Sequence, residues 1–141
     1  MNFVIIAFER WQQRLVDTWL PPADSLASRV PKLAVYELPT LRRMNVVNRW
    51  FIDQGMRSGI PDEKARYRTI TLYIDKELFR EALEIDGEET IHVFLLDGEG
   101  RVRWRARGGA KDAQMKSLER AVKSVAAERS LNPEEQDHDK E

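Results

Sequence analysis

A chain of 141 residues, 42% hydrophobic and 33% charged, has the length of one domain and enough apolar material for a core, which excludes wholesale disorder. A formal net charge of −1 excludes a strong overall field toward nucleic acid or membrane. There is no cysteine, which excludes disulfides, a thiolate nucleophile and thiolate-ligated metal.

The longest apolar runs, such as Phe3 to Phe8, are too short to span a bilayer. No secretory leader is legible, because Met1-Asn2 brings no basic start and Glu9-Arg10 interrupt the apolar stretch. An Arg- and Ser-rich presequence is not legible either, so the expectation is a soluble, intracellular chain.

Phe3-Val4-Ile5-Ile6-Ala7-Phe8 is an unbroken apolar run of strand length, the pattern of a strand buried on both faces. Arg10 to Leu20 reads as helix, with Trp11, Leu15, Trp19 and Leu20 on one side. Pro21-Pro22 predicts a kink or break, with helix resuming from Asp24 to Val30. Lys32 to Leu38 reads as a strand closed by Pro39. Met44 to Met56 reads as helix, Ile60 to Arg66 as a polar connector, and Arg68 to Ile74, which alternates, as a strand.

Asp75 is a candidate N-cap for a helix from Lys76 to Ile85, with Leu78, Phe79, Ala82 and Leu83 inward. Asp86 to Glu89 reads as a loop and Ile91 to Leu96 as an apolar strand. Asp97-Gly98-Glu99-Gly100 marks a hairpin turn in which both glycines tolerate positive φ. In the return strand, strict alternation places Val102, Trp104 and Ala106 on one face and Arg101, Arg103, Arg105 and Arg107 on the other. After Gly108-Gly109, Ala110 to Ala127 reads as an amphipathic helix. The chain thus divides into a domain over 1–130 and a disordered acidic tail over 131–141.

The order β-α-β-α-β-α-β-β-α, with early strands joined by right-handed crossovers and a final hairpin, resembles the thioredoxin-like fold. That is an α/β architecture, a mixed sheet of about five strands with helices on both faces. The resemblance locates a redox site that this chain has lost. With Pro21 as the proline that follows the motif, the two cysteines of Cys-x-x-Cys fall on Gln13 and Val16. The position of the family's cis-proline falls near Thr90. None of the three can support thiol chemistry.

A replacement catalytic site is not evident. His92 lies at the hairpin entrance, and a structural role is the expectation, since metal and triad sites need partners. There is no Gly-x-Ser-x-Gly elbow and no phosphate-binding Gly-x-x-x-x-Gly-Lys motif. No catalytic residue, metal site or cofactor is expected. The arginines of the return strand read either as a solvated edge that resists aggregation or as a face for an acidic partner. With no aromatics interleaved among them, nucleic acid is not expected. Trp11 and Trp19 read as core, with partner anchoring as the second reading.

Two segments carry a more specific likeness. Arg49-Trp50-Phe51-Ile52-Asp53 leads to Arg57-Ser58-Gly59-Ile60-Pro61-Asp62-Glu63. Later, Val93 to Trp104 closes on Arg103-Trp104 ahead of the small-residue turn Gly108-Gly109-Ala110. Together, over about residues 3 to 127, they resemble the mitochondrial F-type ATP synthase assembly factor family. The resemblance implies a non-catalytic, chaperone-like factor that shields a hydrophobic subunit of the membrane proton-channel sector. Its partner would be a protein, and it would associate peripherally with the membrane. It implies the matrix side of the inner membrane for a eukaryotic chain preceded by a leader, and the cytoplasm for a prokaryotic one. The alternative left open by the residues is a small-ligand binder or enzyme with a site rebuilt around Gln12, Gln13 and His92.

Overall fold

The computed structural model describes residues 1–41 and 68–131, with side chains as far as residue 128. The expected helix over 44–56, the connector over 60–66, the segment 49–63 and the tail beyond 131 lie outside the described residues. The elements are β1 (Asn2–Ala7), a 3-10 turn (Arg10–Gln12), α1 (Gln13–Arg29), β2 (Ala34–Leu41), β3 (Leu72–Tyr73), α2 (Lys76–Ala82), β4 (His92–Leu96), β5 (Val102–Arg107) and α3 (Asp112–Leu131).

Strand β1 pairs with β2 in parallel and with β4 antiparallel, giving the order β3-β2-β1-β4-β5. This is the mixed five-stranded sheet of the thioredoxin-like order. The apolar run of β1 feeds two cores because successive side chains leave opposite faces. Phe3 and Ile5 join Val16, Trp19, Ala23 and Leu26 of α1 and Leu118, Val122 and Val125 of α3. Val4 and Ile6, with Phe8 beyond the strand, join Ile85 and Phe94, against which Phe79 and Leu83 pack.

At the centre of the first core stand three aromatic rings. Trp19 lies 5.6 Å from Phe3 and meets Trp104 edge-on at 6.1 Å. Each indole N–H is satisfied, Trp19 Nε1 by the Gly108 carbonyl at 2.8 Å and Trp104 Nε1 by Ser117 Oγ at 2.9 Å. Gly108 itself adopts φ +80 and Gly100 φ +81, values that only glycine reaches without strain. Of the two turn glycines, only Gly100 uses this freedom.

Several expectations need correction. Helix α1 runs through Pro21 and Pro22 without a break. Its buried stripe Val16, Trp19, Ala23, Leu26 keeps helical spacing across the prolines, so core contacts outweigh the lost backbone bonds. Strand β2 likewise runs past Pro39, which falls between the bridge Glu37↔Thr69 and the ladder that starts at Thr40↔Leu72. Proline has no amide hydrogen to give there, and β3 is only Leu72–Tyr73 rather than the whole of 68–74. Asp75 does cap α2, accepting from the Glu77 and Leu78 amides, but the helix is shorter than expected. Leu78 faces solvent at 65% exposure and Ala82 is exposed too, so Phe79 and Leu83 alone turn inward.

The return strand departs from simple alternation. Leu95 pairs with Trp104 but Leu96 pairs with Val102, which leaves Arg103 as the extra residue of a bulge. The bulge puts Val102 on the opposite face from Trp104, and Arg103 away from the face of Arg105. The expected single face of four arginines is therefore not formed.

Candidate functional site at the end of the central strand

Where β1 ends, the chain turns through Glu9 and the 3-10 turn into α1. The turn is held by Gln12, which is 0% exposed. Its Oε1 accepts from the amides of Phe8 (2.9 Å) and Glu9 (3.2 Å), and its Nε2 donates to the Glu88 carbonyl at 2.6 Å. One amide thus ties the strand exit to the loop that precedes β4. Lys76 adds a second tie, donating to the Phe8 carbonyl at 3.1 Å and pairing with Glu88 at 3.0 Å. Arg80 also approaches Glu88, at 3.4 Å.

These ties frame an open groove of about 480 Å³ lined by Glu9, Trp11, Arg80, Asp86, Glu88 and Glu89. Trp11 was expected on the buried side of its helix. It is instead 50% exposed, because the 3-10 turn rotates it away from the stripe that starts at Val16. The Arg14 guanidinium stands 5.5 Å from the centre of its ring. Trp19 is 0% exposed and packs within the core, which leaves Trp11 as the one of the pair that faces outward.

The three positions expected for a redox site serve the fold. Gln13 opens α1 and donates to Asp17 (3.0 Å) and to Glu37 Oε1 (3.1 Å). Val16 is core. Thr90 precedes β4, and no peptide bond among the described residues is cis. Glu37 and His92 flank the same stretch of β1 from its two neighbours, in register with Ile5 and Ile6 respectively. Adjacent residues of one strand face opposite sides, so the sheet separates Gln13 and Glu37 from His92. The described residues therefore do not bring Gln12, Gln13 and His92 to one pocket. His92 is 5% exposed with the Phe8 ring edge-on at 6.5 Å. Its burial, then the nearby Arg107 and Arg105, push its pKa down, which keeps it neutral at pH 7.

Glu37 is a buried carboxylate whose pKa burial raises, against the hydrogen bond from Gln13 and the charge of Arg68. Asp17 adds to the rise and Thr69 opposes it. The folded protein then holds this proton to higher pH than the unfolded chain does. Stability is expected to fall as pH rises from the ordinary glutamate value through the raised one. Glu37→Gln should remove that decline and leave the variant the more stable of the two at neutral pH. Urea unfolding from about pH 4 to about pH 8 checks this, and parallel pH profiles for the two proteins would refute it.

Each arginine of the return strand already has a partner. Arg101 pairs with Asp97 at 3.2 Å and Glu99 at 2.6 Å. Arg103 binds Glu128 of α3 and lies 3.4 Å from Asp97. Arg105 lies over the Phe94 ring and donates to the carbonyls of Leu83 (2.9 Å) and Glu84 (3.2 Å), closing the end of α2. Arg107 approaches Asp86 at 3.8 Å. Asp97 is the hub of the turn. Its burial favours the neutral acid, but the Arg101 and Glu99 amides and the two guanidinium groups outweigh it and lower its pKa. Arg101 and Arg107 keep most of the side chain in solvent, at 67% and 62% exposure.

A family model described as ATP10 protein matches residues 2–125. The chain belongs to the ATP10 protein family. Membership implies a role in ATP synthase assembly and a protein partner, and it points to a non-enzymatic role. A solved structure of a thiol:disulfide interchange protein DsbE from Chlorobium tepidum is also similar, with a TM-score of 0.53 and 14% identity. The likeness covers 88% of this chain and 78% of that one, and it is a likeness of fold. Comparison with curated proteins gave no match. The ATP10-family chain keeps the thioredoxin-like sheet with no cysteine anywhere in its sequence. Among the described residues there is no cluster of metal-ligating side chains, and no helix is long and apolar enough to cross a membrane.

The role of Gln12 as a clamp was missed by sequence reasoning. Glu9-x-x-Gln12 at a helix start was the available signal, since a glutamine at the third helical position reaches back to the cap. Nothing local marks Glu37 as buried, because its burial comes from Gln13 and Thr69, distant in the chain.

Proposed function

We propose that this ATP10-family protein is a non-catalytic assembly factor that binds a membrane subunit of the proton-channel sector of F-type ATP synthase and shields it until its partner subunits arrive. The observation that supports the reading is that the positions expected for a redox site serve the fold. Gln13, Val16 and Thr90 stand at its positions, and they are used for a hydrogen bond, for core packing and for the entry to β4. The family's connection with ATP synthase assembly supplies the kind of partner. The protein acts from the matrix side of the inner membrane in a eukaryote and from the cytoplasm in a prokaryote, associating peripherally with the membrane. It takes no cofactor and no nucleic acid. Trp11, Arg101 and Arg107 are the side chains it offers to the partner, whereas Trp19, Arg103 and Arg105 serve the fold.

The test is capture by the tagged protein from detergent-solubilised native membranes. Membrane subunits of ATP synthase are expected in the eluate. Arg101→Gln combined with Arg107→Gln should reduce their recovery several-fold without altering the fold, because both side chains are mostly solvated. An eluate without membrane-derived protein would sink the reading.

A further inference from the structure

The groove at the end of β1 combines three features that the arginine strand lacks: a half-exposed aromatic ring, an open concave shape and exposed carboxylates free of an ion pair among the described residues. Its lining carries four carboxylates, from Glu9, Asp86, Glu88 and Glu89, against one guanidinium, from Arg80. Glu88 is neutralised inside the fold by Lys76 and Arg80. Glu9, Asp86 and Glu89 are exposed, and the approach of Arg107 to Asp86 is a long, solvated contact. At the groove mouth this leaves the exposed carboxylates of Glu9 and Glu89 without an ion pair among the described residues.

Trp11 stands beside these carboxylates, half in water. Its position is fixed, because the neighbouring residue Gln12 is fully buried and bonded to three backbone groups. A ring held in this way loses little freedom when a partner covers it. Arg14 already stands 5.5 Å from the ring centre, within the distance at which a guanidinium is attracted to an indole. The ring and the rim favour the same chemistry, a cation carried on an apolar stem.

We propose that Trp11 and the groove it borders are a docking site for a basic, arginine- or lysine-bearing segment of a protein partner. The segment lays one cationic side chain against the Trp11 ring and others toward Glu9 and Glu89. The inference goes beyond the assembly-factor reading and does not depend on the partner being a subunit of ATP synthase. The two fail separately, since the capture experiment reads the partner's identity and the titration below reads the groove.

The probes are short tryptophan-free peptides rich in arginine, with glutamate-rich peptides of the same length as the comparison. They are titrated into the full chain by calorimetry and followed by tryptophan fluorescence. The arginine peptide is expected to bind and the glutamate peptide not to, with affinity falling as salt is raised. Trp11→Ala should weaken binding at least about tenfold. Glu9→Gln with Glu89→Gln should weaken it and flatten the salt dependence, while Lys123→Gln, on the exposed face of α3, leaves it unchanged. All these positions are exposed, and unchanged thermal unfolding of each variant confirms the fold. Equal binding of both peptides, or wild-type affinity in Trp11→Ala, overturns the proposal, the second by placing the attraction elsewhere on the acidic surface. Self-association that fills the groove with a second copy of the chain, read by sedimentation, overturns it as well.

Discussion

Replacing Trp19 by alanine is expected to destabilise the fold by about 3–5 kcal/mol. The side chain is fully buried at the contact of α1, β1 and β5, where Phe3 and Trp104 pack against it. Its removal leaves a cavity between helix and sheet that a helix anchored on both sides by Val16 and Ala23 cannot readily close. It also leaves the Gly108 carbonyl without the indole donor at the entrance to α3. Against a total of roughly 5–15 kcal/mol for a domain of this size, such a loss brings the protein close to unfolding at room temperature. Trp19→Phe is the milder comparison. It keeps much of the ring contact and removes the hydrogen bond and the second ring, for an intermediate loss of about 1–3 kcal/mol. Urea unfolding of both variants is the measurement. A loss below about 2 kcal/mol for the alanine variant would mean that the ring cluster is not the centre of this core.

The same residue shows how far the sequence could be read. The β1 run has no polar interruption, so its two-sided burial was legible, but of the expected helix stripe Trp11, Leu15, Trp19 and Leu20 only Trp19 belongs to the fully buried one, Val16, Trp19, Ala23 and Leu26. The hairpin was legible from Asp97-Gly98-Glu99-Gly100, whose chemistry is local: Asp97 accepts from the amides of Glu99 and Arg101. The bulge was not legible. Which residue slips is decided by Arg103 reaching Asp97 and Glu128, and Glu128 is supplied by a helix that no local rule connects to β5.

Prolines misled for a similar reason. Pro21-Pro22 and Pro39 are breakers by local rule, yet tertiary contacts carry α1 and β2 through them. The candidate site was harder still. The sequence pointed to Gln13 and Thr90 through the expected redox motif and to Trp11 and Trp19 as a pair. It could not tell Trp11 from Trp19, because the difference is a 3-10 turn whose geometry depends on a hydrogen bond from Gln12 to Glu88 across the fold. His92 and Gln13 were grouped because both fall at or near the expected redox positions. A single residue of register, Ile5 against Ile6, places them on opposite faces.

Gln12 is where fold and groove meet, and Gln12→Ala is expected to cost about 3 kcal/mol. The substitution strips partners from the Phe8 and Glu9 amides and from the Glu88 carbonyl at once. Each buried group left unpaired costs about 1–3 kcal/mol, and water entering from the open side of the groove recovers part of it. Gln12→Glu is the sharper comparison. It keeps the acceptor for the two amides but puts a negative charge where Nε2 donated, facing the Glu88 carbonyl. It should therefore be at least as damaging at neutral pH and should recover stability as pH falls and the new carboxyl takes a proton. Hydrogen exchange gives a local readout, since the Phe8 and Glu9 amides should lose protection in Gln12→Ala before the β4 amides do. The arginine-peptide affinity should fall in the same variant although Gln12 does not line the groove, because Trp11 and the 86–89 loop lose their common anchor. A loss of less than about 1 kcal/mol, with peptide affinity unchanged, would show that water replaces the amide and that Lys76, bonded to both Phe8 and Glu88, suffices to hold the groove together.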